Sequence, residues 1–292
     1  MTVAVITDSV ASLPKVAIKR YSITIVPISI IINEKAYRDG IDITPKEVYE
    51  FLANGKNSAT TSSPTPDQFI QAFKEVTNWA DSIVCVTICS DISMMYDSAT
   101  KAKEIFQQSY PSINIDIIDS RTAGGAQGFI ALCAAKVASS GANLTQVTQS
   151  AKSMMPRVHM LGVLDTLHYL ARAGRIPKIA AWGGSMFKIN PILSFAQDEI
   201  GLLERARTKP KAINRMLEIM EDRVNHRPVH INLMHANVSV EAEDLKKQLE
   251  ARFNCVELYT TDFSPTMGIQ AGPGVIAVAF YCDESEEMND VG

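Results

Sequence analysis

The sequence lacks the features that mark membrane-spanning, secreted and nucleic-acid-binding proteins. No apolar run approaches the ~20 residues that a helix needs to cross a bilayer. The net charge of −4, from 28 basic and 32 acidic residues, provides no basic field for nucleic acid. A strand is predicted within three residues of Met1, which leaves no room for a signal peptide. We therefore expect a cytoplasmic protein with no membrane span and no nucleic-acid partner.

The five cysteines are too scattered to predict a disulfide framework or a zinc site. They are an odd number among apolar neighbours, which is typical of small core residues in a reducing compartment. Cys85 and Cys89 are four residues apart, but no second pair accompanies them. Three histidines lie between residues 226 and 235, yet Pro228 interrupts any helix that would align the first two. We expect no metal and no cofactor.

The sequence also lacks the common fingerprints of catalysis. It contains no Gly-x-Ser-x-Gly elbow, no Gly-x-Gly-x-x-Gly after the first strand, and no Gly-Lys-Ser/Thr phosphate loop. What remains is a set of predicted strand ends rich in Ser, Thr and Gly, without an evident acid, base or nucleophile. This composition favours binding over catalysis, so we do not expect an enzyme.

Strand, polar strand end and helix follow one another three times in the first half. The strands are predicted at 3–7, 82–88 and 113–118, and this order is the signature of parallel βαβ units. The isoleucine-rich segment 21–33, interrupted by Pro27, predicts one buried strand. The second half has a different pattern, with strands and helices in mixed order. We therefore predict an α/β fold of two domains, a parallel-sheet domain at 1–156 and a mixed α/β domain at 157–292.

The segment Ser58–Pro66 has an unusual composition, with six hydroxyl side chains, two prolines and no charge among nine residues. Hydroxyls, backbone N–H groups and the N-terminus of the following helix together suit an anion. An ordinary helix cap explains the segment as well, with Thr65 or Ser63 as the capping residue and Pro66 at the first helical position. Both interpretations stay open at this point.

Taken together, the motifs resemble the DegV family, the fatty-acid-binding proteins that serve bacterial fatty acid kinase. The resemblance runs in order along nearly the whole chain. Its motifs are Thr7-Asp8-Ser9, Thr61-Ser62-Ser63-Pro64, Ser90 through Ser93, Asp119-Ser120, Leu167 through Ile176, Pro191-Ile192-Leu193, Arg207-Thr208, His235-Ala236 and Gly272-Pro273-Gly274.

The resemblance implies a long-chain fatty acid buried in a tunnel near the junction of two domains. Its carboxylate would be held by the hydroxyls of Thr61, Ser62 and Ser93. Arg175 and Arg207 match positions that would face a separate kinase, which phosphorylates the fatty acid to an acyl phosphate. The protein would then be a carrier that presents a substrate. The candidate ligand-binding residues are Thr61, Ser62, Ser93, Met94, Met95, Gln270 and Gly272.

Three departures from the family pattern involve four positions. Met94 and Met95 stand where the family usually has Gly-Thr, Gln270 replaces a histidine, and Asn190 replaces a lysine. The methionines remove one hydroxyl and add apolar bulk, and glutamine carries no charge. Further methionines and phenylalanines suit an apolar tunnel, because methionine adapts to a flexible guest. These candidates are Met154, Met155, Met160, Met186, Phe187 and Phe195, each of which is equally compatible with an ordinary core.

Three hypotheses follow. The first is a fatty-acid carrier for a kinase. The second is a diverged lipid-binding protein for a different head group or chain, with no kinase partner. The third is a hydrolase or transferase that uses Ser62 or Ser93, which would require a base near the serine that the sequence does not supply.

Overall fold

We analysed a computed structural model that describes residues 2–53, 59–62, 64–174, 189–196 and 199–283. The strands are β1 (Val3–Asp8), β2 (Thr24–Val26), β3 (Ser29–Ile32), β4 (Lys35–Arg38), β5 (Ala59–Ser62), β6 (Ser82–Thr87), β7 (Asn114–Asp119), β8 (His159–Val163), β9 (Asn190–Ala196), β10 (Glu199–Ala206), β11 (Val229–His235), β12 (Cys255–Asp262) and β13 (Ile276–Cys282). The helices are α1 (Lys15–Arg20), α2 (Pro45–Ala53), α3 (Pro66–Val76), α4 (Met95–Ser109), α5 (Gly124–Ser139), α6 (Leu144–Met154), α7 (His168–Ala173), α8 (Lys209–Val224), α9 (Ser239–Arg252) and α10 (Pro265–Ala271).

The strands form three sheets. A four-stranded parallel sheet has the order β2-β1-β6-β7, and a six-stranded mixed sheet has the order β10-β9-β8-β13-β11-β12. In the larger sheet β11 and β12 are parallel, and the other neighbours are antiparallel. A small antiparallel sheet has the order β4-β3-β5. The predicted α/β fold, with a parallel sheet and a mixed sheet, is confirmed.

Helix α5 lies between the two large sheets and is buried along most of its length. Its glycines and alanines allow this position because a larger side chain would meet backbone or core atoms. A Cβ atom on Gly125 would lie 2.9 Å from both the Cβ of Ala279 and the Nδ2 of Asn232, on two strands of the mixed sheet. A Cβ on Gly128 would collide with the carbonyl oxygen of Ala11. The main hydrophobic core therefore contains residues of both halves of the chain.

The segment 21–33 does not form one strand, so that prediction was wrong. It forms β2, which is parallel to β1, and β3, which is antiparallel to β4 and β5 in the small sheet. Pro27 lies between them and has no N–H group to continue a ladder. The chain therefore leaves one sheet at the proline and enters another.

Helix α10, from the second half of the chain, packs against elements of the first half. Ile269 of this late helix packs in the same apolar cluster as residues of the small sheet and α2: Ile30, Ile32, Ile43, Val48, Leu52 and Ala59. A segment from the second half thus completes a core of the first half. The boundary between 156 and 157 remains a prediction.

The helix-cap interpretation of Thr65 is confirmed. Thr65 precedes α3 with Pro66 in the first turn, and Gln68 Oε1 accepts a hydrogen bond from the Thr65 N–H at 3.0 Å. Ser63 lies outside the described residues. None of the helices in the described part of the chain combines the length and apolar character needed to cross a membrane.

Candidate functional site

An apolar cavity lies between the mixed sheet, the ends of the parallel strands and α10. It is narrow, with a volume of about 40 Å³. Its walls are almost entirely aliphatic or aromatic, and Gln270 is the only polar side chain among the described lining residues. The lining residues are Ile88, Ile92, Ala123, Met160, Gly162, Leu164, Leu170, Leu193, Phe195, Phe263, Met267, Gln270, Ala271, Val275 and Ala277.

Close contacts of two glycines position α10 at this cavity. A Cβ atom on Gly268 would overlap the ring of Tyr49 from α2. Gly272 ends the helix with a φ of +87°, and a Cβ there would overlap the ring of Tyr169 from α7. Glycine is required at position 272 because both the backbone conformation and the available space exclude a side chain. Gly272 therefore acts on the site by packing, and it is not among the residues that line the cavity.

Gln270, which lines the cavity, contacts Thr61, a second predicted ligand-binding residue that is not among the described lining residues. Gln270 Nε2 donates a hydrogen bond to Thr61 Oγ1 at 3.1 Å. Thr61 lies on β5, opposite Ile30 of β3, while its neighbours Thr60 and Ser62 are exposed. Alternation along the strand turns Ala59 and Thr61 inward. Thr61 is thus the residue of the hydroxyl-rich segment that contacts the Gln270 side chain.

Ile92, in the segment after β6, lines the cavity, but the predicted ligand-binding residues that follow it do not. Ser93 Oγ accepts a hydrogen bond from the Met95 N–H at 3.3 Å, in the turn that opens α4. Met94 is 56% exposed, whereas Met95 is fully buried in the main core. None of these three side chains lines the cavity.

The predicted apolar wall is present in part. Met160 and Phe195 line the cavity, but Met154 packs in the core and Met155 lies beside it. Sequence reasoning did not single out the other lining residues, such as Leu193, because an apolar strand residue looks the same in a core and in a cavity wall. Met186 and Phe187 are outside the described residues.

One of the two predicted partner-binding arginines lies in the described part of the chain. Arg207 is exposed in the turn between β10 and α8. Arg175 lies outside the described residues.

Asn190, which replaces an expected lysine, donates from Nδ2 to the carbonyl oxygen of Leu164 at 3.1 Å. It therefore stabilises the wall of the cavity at the start of β9.

Two buried carboxylates hold neighbouring parts of the wall. Asp8, at the end of β1, accepts hydrogen bonds from the N–H of Val10 at 3.0 Å and of Ile88 at 2.8 Å. Burial raises the pKa of Asp8 to about 6, although these hydrogen bonds oppose the shift, and Asp39 adds repulsion. Asp8 thereby fixes Ile88, which lines the cavity.

Asp39 performs a similar role at the start of α10. It is 2% exposed, and Ser9 Oγ donates to its Oδ2 at 2.8 Å. Burial raises the pKa of Asp39 to about 6, while hydrogen bonding from Thr266, Ser9 and Ser264 acts in the opposite direction. Ser264 and Thr266 begin α10, so Asp39 lies between the start of this helix and Ser9, which follows β1.

Comparison with known proteins gives a consistent result along the whole chain. A family model described as an uncharacterised protein of the DegV family matches residues 2–283. Protein DegV of Bacillus subtilis is 31% identical over 284 residues, which cover 96% of this chain and 99% of the relative. A DegV domain-containing protein of Clostridium perfringens is 30% identical over 281 residues and covers similar shares, 96% and 99%. The crystal structure of DegV from Bacillus subtilis, described as a fatty acid binding protein, has a TM-score of 0.88 at 28% identity and covers 97% of this chain and all of that one.

Asp39→Asn should remove a buried charge that costs stability at neutral pH. The pKa of Asp39 is raised from 3.8 to about 6 in the fold. The contribution of Asp39 to the free energy of unfolding is therefore complete below about pH 3.8 and is lost as the pH rises through about 6. We expect the free energy of unfolding of the variant, relative to the unmodified protein, to increase by about 1–3 kcal/mol between about pH 5 and pH 8. Urea denaturation at both pH values measures this difference.

The matched control is Asp222→Asn, at an exposed carboxylate on α8. Its effect on the free energy of unfolding should be the same at both pH values within about 0.5 kcal/mol. An equally constant difference for Asp39→Asn would show that burial of Asp39 carries no such cost.

Proposed function

This chain belongs to the DegV family, and we propose that it binds a long-chain fatty acid in the cavity between its sheets. One observation carries the proposal: the cavity has apolar walls and one polar side chain among its described lining residues, Gln270, which is hydrogen-bonded to Thr61. A ligand with a long apolar body and one polar end matches this arrangement of apolar and polar groups. The related Bacillus subtilis protein, described as a fatty acid binding protein, supports the same ligand class.

Burial of the acyl chain supplies the affinity. Each buried methylene contributes about 0.8 kcal/mol before the costs of ordering and association. A long chain therefore binds at the cost of widening the narrow cavity. The polar end contributes less energy and determines orientation. A hydrogen bond to the ligand oxygen is worth about 0.5–1.5 kcal/mol, and leaving the buried oxygen unpaired costs more. We assign this role to Gln270 and its hydrogen-bond partner Thr61, and Ser62 and Ser93 remain candidates from the family resemblance.

We further propose that the protein is a cytoplasmic carrier that presents its ligand to a separate fatty acid kinase. The described cavity residues include no side chain that titrates, so a phosphoryl transfer would need groups from another protein. Exposed Arg207 is a suitable contact for that partner. Arg175 belongs to the same proposal, although it lies outside the described residues.

The ligand itself is tested by extraction and uptake. Protein purified from a bacterial host should release a long-chain fatty acid into organic solvent, as identified by mass spectrometry. After delipidation it should take up one fatty acid per chain, measured by displacement of a fluorescent acyl probe. A delipidated, folded sample that takes up no fatty acid would contradict the proposal.

Thr61→Val should weaken fatty-acid binding about five- to tenfold, because it keeps the shape of the side chain and removes the donor at the polar end. The matched control is Thr60→Val, whose side chain is on the exposed face of the same strand. We expect the control to bind with unchanged affinity in the displacement assay. Equal affinities for both variants would place the head group away from Thr61.

Arg207→Ala should leave fatty-acid affinity unchanged and lower the rate of acyl phosphate formation by a fatty acid kinase at least tenfold. The expected loss reflects removal of one charged contact with the partner. Lys211→Ala, an exposed cation on the next helix, is the control and should retain most of the rate. If neither variant nor unmodified protein supports phosphorylation while all bind fatty acid, the chain is a lipid-binding protein without a kinase partner.

A further inference from the structure

Lys209, the first residue of α8, contacts three other segments of the chain. Its ammonium group donates to the carbonyl oxygen of Gly274 at 2.6 Å, and lies 2.7 Å from a carboxylate oxygen of Glu241 and 3.2 Å from one of Asp165. An ammonium group has three N–H donors and no acceptor, so these three oxygens match its bonding capacity. The side chain is only 15% exposed, and its charge is therefore neutralised mainly by these partners rather than by water.

The position of Lys209 within its own helix is unfavourable for a cation. The N-terminus of a helix carries a partial positive charge, and the first turn of α8 contains no acidic residue. The contacts of Lys209 with Asp165, Glu241 and Gly274 offset this repulsion. A residue that opposes the local preference of its helix is explained by its tertiary contacts. The role of Lys209 therefore lies in the segments that it joins.

Two of these segments lie directly beside the apolar cavity. Asp165 and Gly274 each adjoin a residue that lines it, Leu164 and Val275 respectively. Asp165 lies two residues after β8, and Gly274 lies two residues before β13, which is antiparallel to β8. Lys209 thus bridges the two strands just beyond the end of their hydrogen-bonded ladder.

The segment that contains Gly274 also connects the two walls of the cavity. Residues 272–274 link α10, which forms part of one wall, to β13, which forms part of the other. Gly274 has a φ of +90°, and a Cβ atom there would collide with Oδ2 of Asp165. Glycine is therefore required at this position, because neither the backbone conformation nor the available space admits a side chain. Lys209 fixes the carbonyl group of this turn.

The cavity must widen before it can hold a long acyl chain. Its volume of about 40 Å³ has room for only a few water molecules. Widening separates α10 from the sheet, and the joint between them is the turn at 272–274. Contacts that fix this turn and the end of β8 oppose that movement.

We propose that Lys209 is a positioning residue of the acyl cavity, which fixes the joint between the two walls and limits the rate at which they separate to admit an acyl chain. The inference rests on the proposed function, because it concerns entry of the same ligand. Lys209 is not among the described lining residues, so it acts through Asp165 and Gly274. Removal of its ammonium group lowers the cost of widening, so uptake becomes faster without loss of affinity.

Lys209→Met tests the inference, because methionine keeps an unbranched apolar side chain and removes the charge. Stopped-flow mixing of delipidated protein with a fluorescent acyl probe, kept below its critical micelle concentration, measures the uptake rate. Titration with the same probe gives the Kd. We expect the uptake rate to rise about fivefold or more, and the Kd to weaken by no more than about threefold.

Arg215→Met is the matched control. Arg215 lies on the same helix and also pairs with two carboxylates, those of Glu204 at 2.8 Å and Glu218 at 2.9 Å. None of these three residues is a described lining residue or adjoins one. The control loses the same kind of ion pair, and its uptake rate should stay within about twofold of that of the unmodified protein. Melting temperatures of both variants separate a general loss of stability from a specific effect on uptake.

Asp165→Ala removes the same contact from its other side and keeps the inference testable if Lys209→Met does not fold. This variant should also take up the probe faster. The double variant should be no faster than the faster of the two single variants, because both changes release one shared contact.

Three results would overturn the inference while leaving the proposed function intact. The first is an uptake rate within about twofold of the unmodified protein for both Lys209→Met and Asp165→Ala. The second is an equal acceleration in Arg215→Met. The third is a Kd that weakens by more than about threefold in Lys209→Met, which would show that Lys209 supports the bound state. Failure of the unmodified protein to take up the probe would instead overturn the proposed function, and this inference with it.

Discussion

The packing of α10 is the constraint on which the candidate site depends. Ile269 of this helix belongs to the core of the small antiparallel sheet, while Met267, Gln270 and Ala271 face the cavity. Gly268 packs so closely against the ring of Tyr49 that no side chain fits at this position. Gln270 is consequently brought to Thr61, a residue 209 positions earlier in the chain. One short helix thus joins the two halves and forms the polar end of the site.

The described residues that line the cavity carry no charge, whereas two carboxylates are buried near its wall. Asp8 accepts a hydrogen bond from the Ile88 N–H, and Asp39 lies beside the start of α10. Both carboxylates are buried, and burial raises both pKa values to about 6. At neutral pH their ionisation therefore reduces the stability of the fold. The hydrogen bonds of Asp8 in turn fix the position of the cavity wall at Ile88. The apolar interior, in contrast, provides the low-polarity environment that an acyl chain requires.

Local sequence patterns predicted the fold better than they predicted the site. The three repeats of strand and helix correctly indicated a parallel sheet, and Thr65 with Pro66 correctly indicated a helix start. The isoleucine-rich segment was misread as one strand, because hydrophobicity does not reveal which sheet a residue joins. Met94 and Met95 were grouped with the ligand site by their proximity to Ser93. The structure exposes the first and buries the second in the core, because consecutive residues at a helix start point in different directions.

The sequence by itself determined the α/β class, the family and the chemical character of the candidate site. These depend on local patterns of apolar and hydroxyl side chains and on the order of short motifs. Both can be read directly from the linear sequence. Only the tertiary structure decided that Thr61 and Gln270 are hydrogen-bond partners and that α10 completes the core of the first half. It also decided which apolar residues face empty space. Such pairings arise from contacts between distant segments, and neither periodicity nor composition carries that information.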